Sequence, residues 1–427
     1  MTHERSQITN EQRSKMKRYA WQSYTILAVI YLFVAFHRNS PGVLKGPIQE
    51  TFNANTQEFA LVTSFFFYPY LLMQLPAGIL TDKFGPKRIV LFFTSITAIG
   101  SLLFGFSSTI TMTYLARAMV GLGVSTVFIG LIKIQSTWFP SSKQAFMIGV
   151  TGIAANLGAL CAQTPLVWLS EALGWRMTFI ALGVITAIFV LLVALLVKEK
   201  PSDVGLPSMA ELEGRVVNRQ PVKVSQGLKS VLSNRNTWLA AFVFLGLYTG
   251  YIVLFGAFGS AFIQEFYQVE LSQASAYLMI ATVGALVAGL VIGTVSDSLK
   301  KRKLPIIVFM LLTLVAWVVF VYVKLPISLL MVLMFVLGFV MSAFVLCWTI
   351  ANETNDPRFA GISSAVVNTI GYLGSAIAPS VMANIIDNQP GHYGYQQAFL
   401  VIIVLIAIGT VLSFFLPETN AENISGH

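Results

Sequence analysis

The side chains able to do chemistry are few, and two of them stand together. Near the end of the first long apolar stretch the chain reads Ala35-Phe36-His37-Arg38-Asn39-Ser40-Pro41-Gly42. A guanidinium presents a planar fork of donors that matches a carboxylate or phosphate. An imidazole titrates near neutral pH. Arg38 is therefore a candidate anchor for an anion, and His37 a candidate carrier of a proton. Each has a plainer alternative. The arginine could snorkel outward or bond backbone carbonyls, and the histidine could pack with a single hydrogen bond. Adjacent helical residues point about 100° apart, so the two need not share a face. All 18 acidic residues fall in loops, tails or the ends of apolar stretches, with Glu58 and Glu353 at edges. An arginine at bilayer depth is costly unless it is paired or faces water. With no carboxylate at that depth, an anion from outside the chain becomes the expected partner. Any coupling group must be something other than a mid-span carboxylate, or a carboxylate at an edge.

The elements that position these residues follow from composition. Of 427 residues, 56% are apolar, 11% are charged, and mean hydropathy is +0.75. Too few polar residues remain to cover a soluble body of this size. Twelve apolar stretches are long enough to span a bilayer as helices. They lie near 21–43, 59–80, 88–107, 109–132, 144–168, 175–197, 237–263, 274–296, 304–323, 327–350, 359–385 and 396–416. Counting from Tyr24 at about 1.5 Å per residue puts Arg38 roughly 21 Å into a core of about 30 Å. The polar run 198–236 divides six stretches from six, and a short amphipathic helix is conceivable at Val224–Leu232. The expected organisation is a tail at 1–20, a bundle at 21–197, a linker at 198–236, a second bundle at 237–416 and a tail at 417–427. The fold class is all-α integral membrane, with twelve transmembrane helices in two pseudo-symmetric six-helix bundles.

Charge placement sets the orientation. The net charge of +9 comes from cations clustered between apolar stretches, a topology signal rather than a nucleic-acid footprint. With the N-terminus inside, 22 of the 27 Lys and Arg lie on the inner side; the others are Arg38, Lys45, Arg117, Arg176 and Lys324. Both termini are expected in the cytoplasm, with the chain in the inner membrane. Some twenty polar residues precede the first stretch, which argues against a cleavable signal peptide. Cys161 and Cys347 lie far apart within apolar stretches. Both read as small buried hydrophobes, and no metal or cofactor is expected.

The chain also repeats itself. Gly78-Ile-Leu-Thr-Asp82-Lys-Phe-Gly85-Pro-Lys87-Arg88 follows the second stretch, and Gly293-Thr-Val-Ser-Asp297-Ser-Leu-Lys-Lys-Arg302-Lys303 follows the eighth, 215 residues later. Gly174-Trp-Arg-Met-Thr-Phe179 opens the sixth and Gly394-Tyr-Gln-Gln-Ala-Phe399 the twelfth. Many secondary transporters are built from such repeated halves.

On these residues the chain resembles the major facilitator superfamily. Gly78–Arg88 is similar to that family's loop motif G-x-L-x-D-[RK]-x-G-[RK]-[RK], with Pro86 in one basic position. The resemblance implies two rocking bundles around a central cavity. It implies that Asp82 lies beside a helix N-terminus of the other half, and that Lys83, Gly85, Lys87 and Arg88 help close the inner gate, with Asp297 in the same role in the second half. Arg117-Ala-Met-Val-Gly121-Leu-Gly123 resembles another family motif, whose arginine is structural or tied to proton movement, and the resemblance implies that Arg117 acts with the gate.

Arg38, Asn39 and Pro47 resemble the first helix of the organic-anion and organophosphate porters, in which the arginine binds the anion. The second arginine that organophosphate porters carry in span seven is missing between Trp238 and Ile263. The Gly-Pro pair of drug exporters is missing from span five. Cavity candidates are Tyr68, Gln74, Asn156, Tyr248, Tyr251, Trp348, Asn368 and Tyr372. Tyr248, Tyr251 and Asn368 join Arg38 as expected substrate contacts. Gly149, Gly152, Gly158, Gly371 and Gly374 are expected at close helix contacts. The expected function is symport of a small organic anion or zwitterion with protons by a monomer. The alternative is proton-antiport export of amphipathic compounds.

Overall fold

The computed structural model describes residues 9–213, 224–389 and 391–426. Arg5, Arg215, Arg219 and Lys223, part of the charge count for orientation, lie outside them. Every regular element among the described residues is a helix. Ten segments are long and apolar enough to cross a bilayer singly, and two bent helix pairs bring the number to twelve. Span one is Asn10–Asn39, so the residues expected as tail are helical from Asn10 onward, capped by Thr9 in a capping box with Gln12. Spans two to six are Thr56–Leu72 with Gln74–Phe84, Pro86–Gly105, Ile110–Val124 with Val127–Trp138, Gln144–Cys161 with Thr164–Leu173, and Trp175–Leu196. Spans seven to twelve are Arg235–Gly256, Leu271–Ser298, Lys303–Tyr322, Ile327–Met341 with Val345–Glu353, Ala360–Asn388 and His392–Ser413. The linker carries an amphipathic helix, Val224–Ser233, whose Val231 packs against Phe359 and Val366 of the second half.

The breaks have local causes. Proline lacks an N–H, and its ring collides with the carbonyl four residues earlier. Pro76 and Pro165 place that collision at Leu72 and Cys161, where span two bends by 51° and span five by 45°. Spans four and ten break without proline. There Ser125 donates its hydroxyl to the Leu122 carbonyl at 2.6 Å, and Ser342 to that of Gly338 at 2.8 Å. Such back-bonds compete with the helix ladder. The two serines occupy corresponding positions in the two halves.

The halves pack alike. Span one lies against five, two against four and three against six; seven lies against eleven, eight against ten and nine against twelve. Glycines permit these approaches: a Cβ on Gly121 would lie 2.0 Å from the Phe66 carbonyl oxygen, and one on Gly338 would lie 1.7 Å from that of Ala281. Gly158, Gly371 and Gly374 serve similar contacts, whereas Gly149 and Gly152 meet nothing within 4 Å. Cys347 is buried, but Cys161, expected inside, is exposed on the surface of span five.

The halves meet through spans two and eleven and through five and eight. Call the end of the bundle that bears both chain termini the termini end, and the opposite one the far end. Spans two and eleven are zippered antiparallel from the far end inward, through Ser64 with Ser380 (3.4 Å), Tyr70 with Tyr372 (4.7 Å between rings) and Gln74 with Asn368 (3.5 Å). Spans five and eight touch at Thr164 and Ser275, 3.2 Å apart near the far end. The cross-half contacts of spans two and eleven run from the far end as far as Gln74 and Asn368, and nearer the termini end a Cβ on Gly149 or Gly152 would meet nothing within 4 Å. The two halves form a wedge, closed at the far end and parted at the termini end.

Candidate functional site

Span one carries Arg38 to the inner edge of the far-end closure. Beyond it Pro41 turns the chain into a short 3-10 helix, Ser40–Val43, and Gly42 lies so close to span seven that a Cβ there would be 2.4 Å from the Phe255 carbonyl oxygen. Arg38 points between the halves: its Nη1 donates to the Tyr248 hydroxyl of span seven at 3.0 Å. Its electrostatic partners are the tyrosines Tyr248, Tyr372, Tyr70 and Tyr31, with Tyr251 also near, and no carboxylate is among them. The rings pack on one another, Tyr248 edge-on to Tyr372 at 5.1 Å and stacked with Tyr251 at 6.1 Å. Nη1 is occupied, while Nε is buried with no hydrogen-bond partner. The guanidinium thus leaves its Nε–Nη2 edge for a ligand, and two parallel N–H groups on that edge suit a planar or tetrahedral oxyanion.

The site's termini-end wall comes from spans two, ten and eleven. Asn368 accepts from Trp348 Nε1 at 2.8 Å and offers its Nδ2 toward Gln74 across the halves at 3.5 Å. The structure thereby gathers Arg38, Tyr248, Tyr251 and Asn368 along one gap. It adds Tyr70, which sequence reasoning missed in favour of Tyr68. Tyr68 is 37% exposed and packs against Phe65 on another face. A signal was present: Tyr70 lies four residues before Gln74, hence on the same helical face. Asn156, another cavity candidate, bonds the Gly152 carbonyl of its own helix at 3.0 Å.

His37 turns away from this gap, as the 100° step allows. It is fully buried within the first half, its ring 6.0 Å from that of Phe179, and neither ring nitrogen has a partner. Arg117 of span four clamps the same region. Its Nη1 donates to the His37 carbonyl at 2.8 Å and its Nε to that of Val62 at 3.2 Å, and its guanidinium lies over the Phe66 ring. Arg117 thus ties spans one, two and four together.

At the termini end the repeated aspartates each find a partner in their own half. Asp82 pairs with Lys133 of span four, not with a helix N-terminus of the other half as the resemblance implied. With the halves parted at this end, Lys133 is the cation within its reach. Gly85 ends span two at φ +87°, where a Cβ would also strike the Glu199 carboxylate. Lys83 lies over Phe84, Lys87 donates to the Ala194 carbonyl at 2.8 Å, and Arg88 is exposed. In the second half Arg302 bridges Asp297 (2.6 Å) and Glu353 (3.0 Å). Burial alone would lower the guanidinium pKa, but the two acids together outweigh it and hold it above the usual range.

A profile of the Major Facilitator Superfamily matches residues 27–379. Among curated proteins the chain is similar to the probable sulfoacetate transporter SauU of Cupriavidus necator, 22% identical over 403 residues and covering 92% of each chain. It is also similar to the probable galactarate/D-glucarate transporter GudP of Bacillus subtilis, 26% identical over 407 residues and covering 86% of this chain and 85% of the relative. Among solved structures, a bacterial homologue of the human lysosomal transporter Spinster in an inward-facing, unoccupied conformation superposes with a TM-score of 0.74 at 17% identity, covering 96% and 98% of the two chains. That likeness is one of fold.

Proposed function

Because the chain belongs to the Major Facilitator Superfamily, a family of multi-pass membrane proteins, we propose that it is a secondary transporter whose cargo is a small organic anion bound by Arg38. The observation that carries this reading is the buried, unpartnered Nε of Arg38 in a tyrosine-lined gap that offers it no carboxylate. Relatives named for sulfoacetate and for galactarate or D-glucarate support the cargo class, since each such compound presents an oxyanion on a short polar skeleton. Tyr248, Tyr251 and Asn368 would contact that skeleton.

In this reading the anion is imported with protons, His37 carries the proton, and the chain works as a monomer in the inner membrane with both termini in the cytoplasm. Asp82, Lys83, Gly85, Lys87, Arg88 and Asp297 would close the termini end once the wedge reverses, with Arg117 holding span four against span one. The test is a stabilisation screen of purified protein against sulfonates, sugar acids and other carboxylates, followed by uptake of the best hits into proteoliposomes. The expected result is saturable uptake that Arg38→Ala abolishes. Undiminished transport by Arg38→Ala, with amphipathic compounds as the cargo, would replace this reading with export.

A further inference from the structure

Asp387, at the far end of span eleven, reaches across to the other half. Its Oδ1 accepts from the Thr56 backbone N–H at 3.2 Å and its Oδ2 from that of Gln57 at 3.0 Å. These are the first two amides of span two, which no carbonyl within the helix can satisfy. The third, that of Glu58, is taken by Asn55 at 2.8 Å in a capping box of the helix's own. The first turn of span two is therefore capped partly from its own chain and partly from the opposite bundle. A carboxylate at that position also meets the positive end of the helix dipole.

Among the described residues this contact has no counterpart at the other seam. Span eight, which corresponds to span two, starts at Leu271, and its N-cap Glu270 makes no side-chain cap bond. Its contact with span five there is the neutral hydroxyl pair Ser275 and Thr164. We propose that Asp387 is a one-sided latch: by capping span two from the second half, it holds the far end shut, and it must release before the far end can open. This role does not depend on which cargo Arg38 binds.

The latch can be undone from either side. Asp387→Asn removes the charge, while Thr56→Pro removes one donor and leaves the carboxylate. Proline is well tolerated at the first position of a helix, and Asn55 before it already has the extended backbone that proline requires (φ −76°, ψ 176°). The probe is Ser64→Cys, at a position fully buried in the zipper between spans two and eleven, in a chain carrying Cys161→Ala and Cys347→Ala. Its rate of modification by a hydrophilic thiol reagent, in detergent and without cargo, scales with the fraction of time the far end is open. Thr313→Cys, buried within the second half, reports general loosening.

The usual strength of a helix cap corresponds to roughly a three- to tenfold rise in the Ser64→Cys rate for each variant. The Thr313→Cys rate should not change. Because both substitutions cut the same contact, the double variant should not exceed the larger single effect. An unchanged Ser64→Cys rate, equal rises at both probes, or effects that multiply would each overturn the latch.

Discussion

Replacing Arg38 by lysine keeps the positive charge and removes the fork. The wild-type guanidinium has Nη1 committed to Tyr248 at 3.0 Å and a free Nε–Nη2 edge. An oxyanion on that edge receives two charge-assisted hydrogen bonds. An ammonium is a point donor that cannot hold Tyr248 and both oxyanion atoms in the same geometry. The loss is one charge-assisted bond, about 1.5–3 kcal/mol, or roughly a ten- to 150-fold weaker Kd. The assay is calorimetric titration of purified wild type and Arg38→Lys with the anion that stabilises the wild type most. Melting temperature in the absence of ligand serves as the control. Among the described residues Arg38 has no acidic mate, so its replacement strands no carboxylate, and the unliganded melting temperature should hold within a few degrees. A Kd for Arg38→Lys within twofold of wild type would refute the fork argument.

Three further outcomes follow from the same geometry. Arg117→Met removes two bonds to the carbonyls of His37 and Val62; it should cost roughly 2–3 kcal/mol of stability, read as a lower melting temperature with anion affinity unchanged in the protein that remains folded. Lys45, just beyond span one, is buried against Tyr395 and Phe258, and burial pushes its ammonium down to about 8 from 10.5, opposed by Asp387 and Glu265. Because the folded state disfavours the charged form, the penalty is full below about pH 8 and fades as pH rises toward 10.5. The wild-type melting temperature should therefore gain on that of Lys45→Met between pH 7.5 and 9.5, and a constant difference would contradict this. If His37 carries the coupled proton, His37→Gln in proteoliposomes should lose accumulation driven by a pH gradient while keeping anion exchange; accumulation at the wild-type level would remove it from that role.

Much of the fold was legible because the bilayer imposes a length on each helix and a charge rule on each loop. The apolar stretches, the polar linker and the repeated Gly–Asp spacing all point to two six-helix halves. The proline breaks at Leu72 and Cys161 were not legible, because Pro69 and Pro379 sit inside helices that continue unbroken through the residue four positions upstream. Nor was the pairing of side chains across the halves. Arg38 and Tyr248 are 210 residues apart, and nothing in either local sequence says that they meet. The partner of Asp82 was not legible either: Lys133 lies 51 residues further on, within the same half, whereas the resemblance pointed to the other half. Asp387 looked like an ordinary loop acid, since its role arises only where span two ends beside it.

The central claim is that the free edge of Arg38 holds the negative group of the cargo. The most direct measurement is a structure of the purified protein with its best stabilising anion bound. The account predicts two oxyanion atoms about 3 Å from Nε and Nη2 of Arg38, with Tyr248 still on Nη1 or displaced by the ligand. An anion seated elsewhere, with Arg38 contacting only tyrosines as it does here, would contradict it.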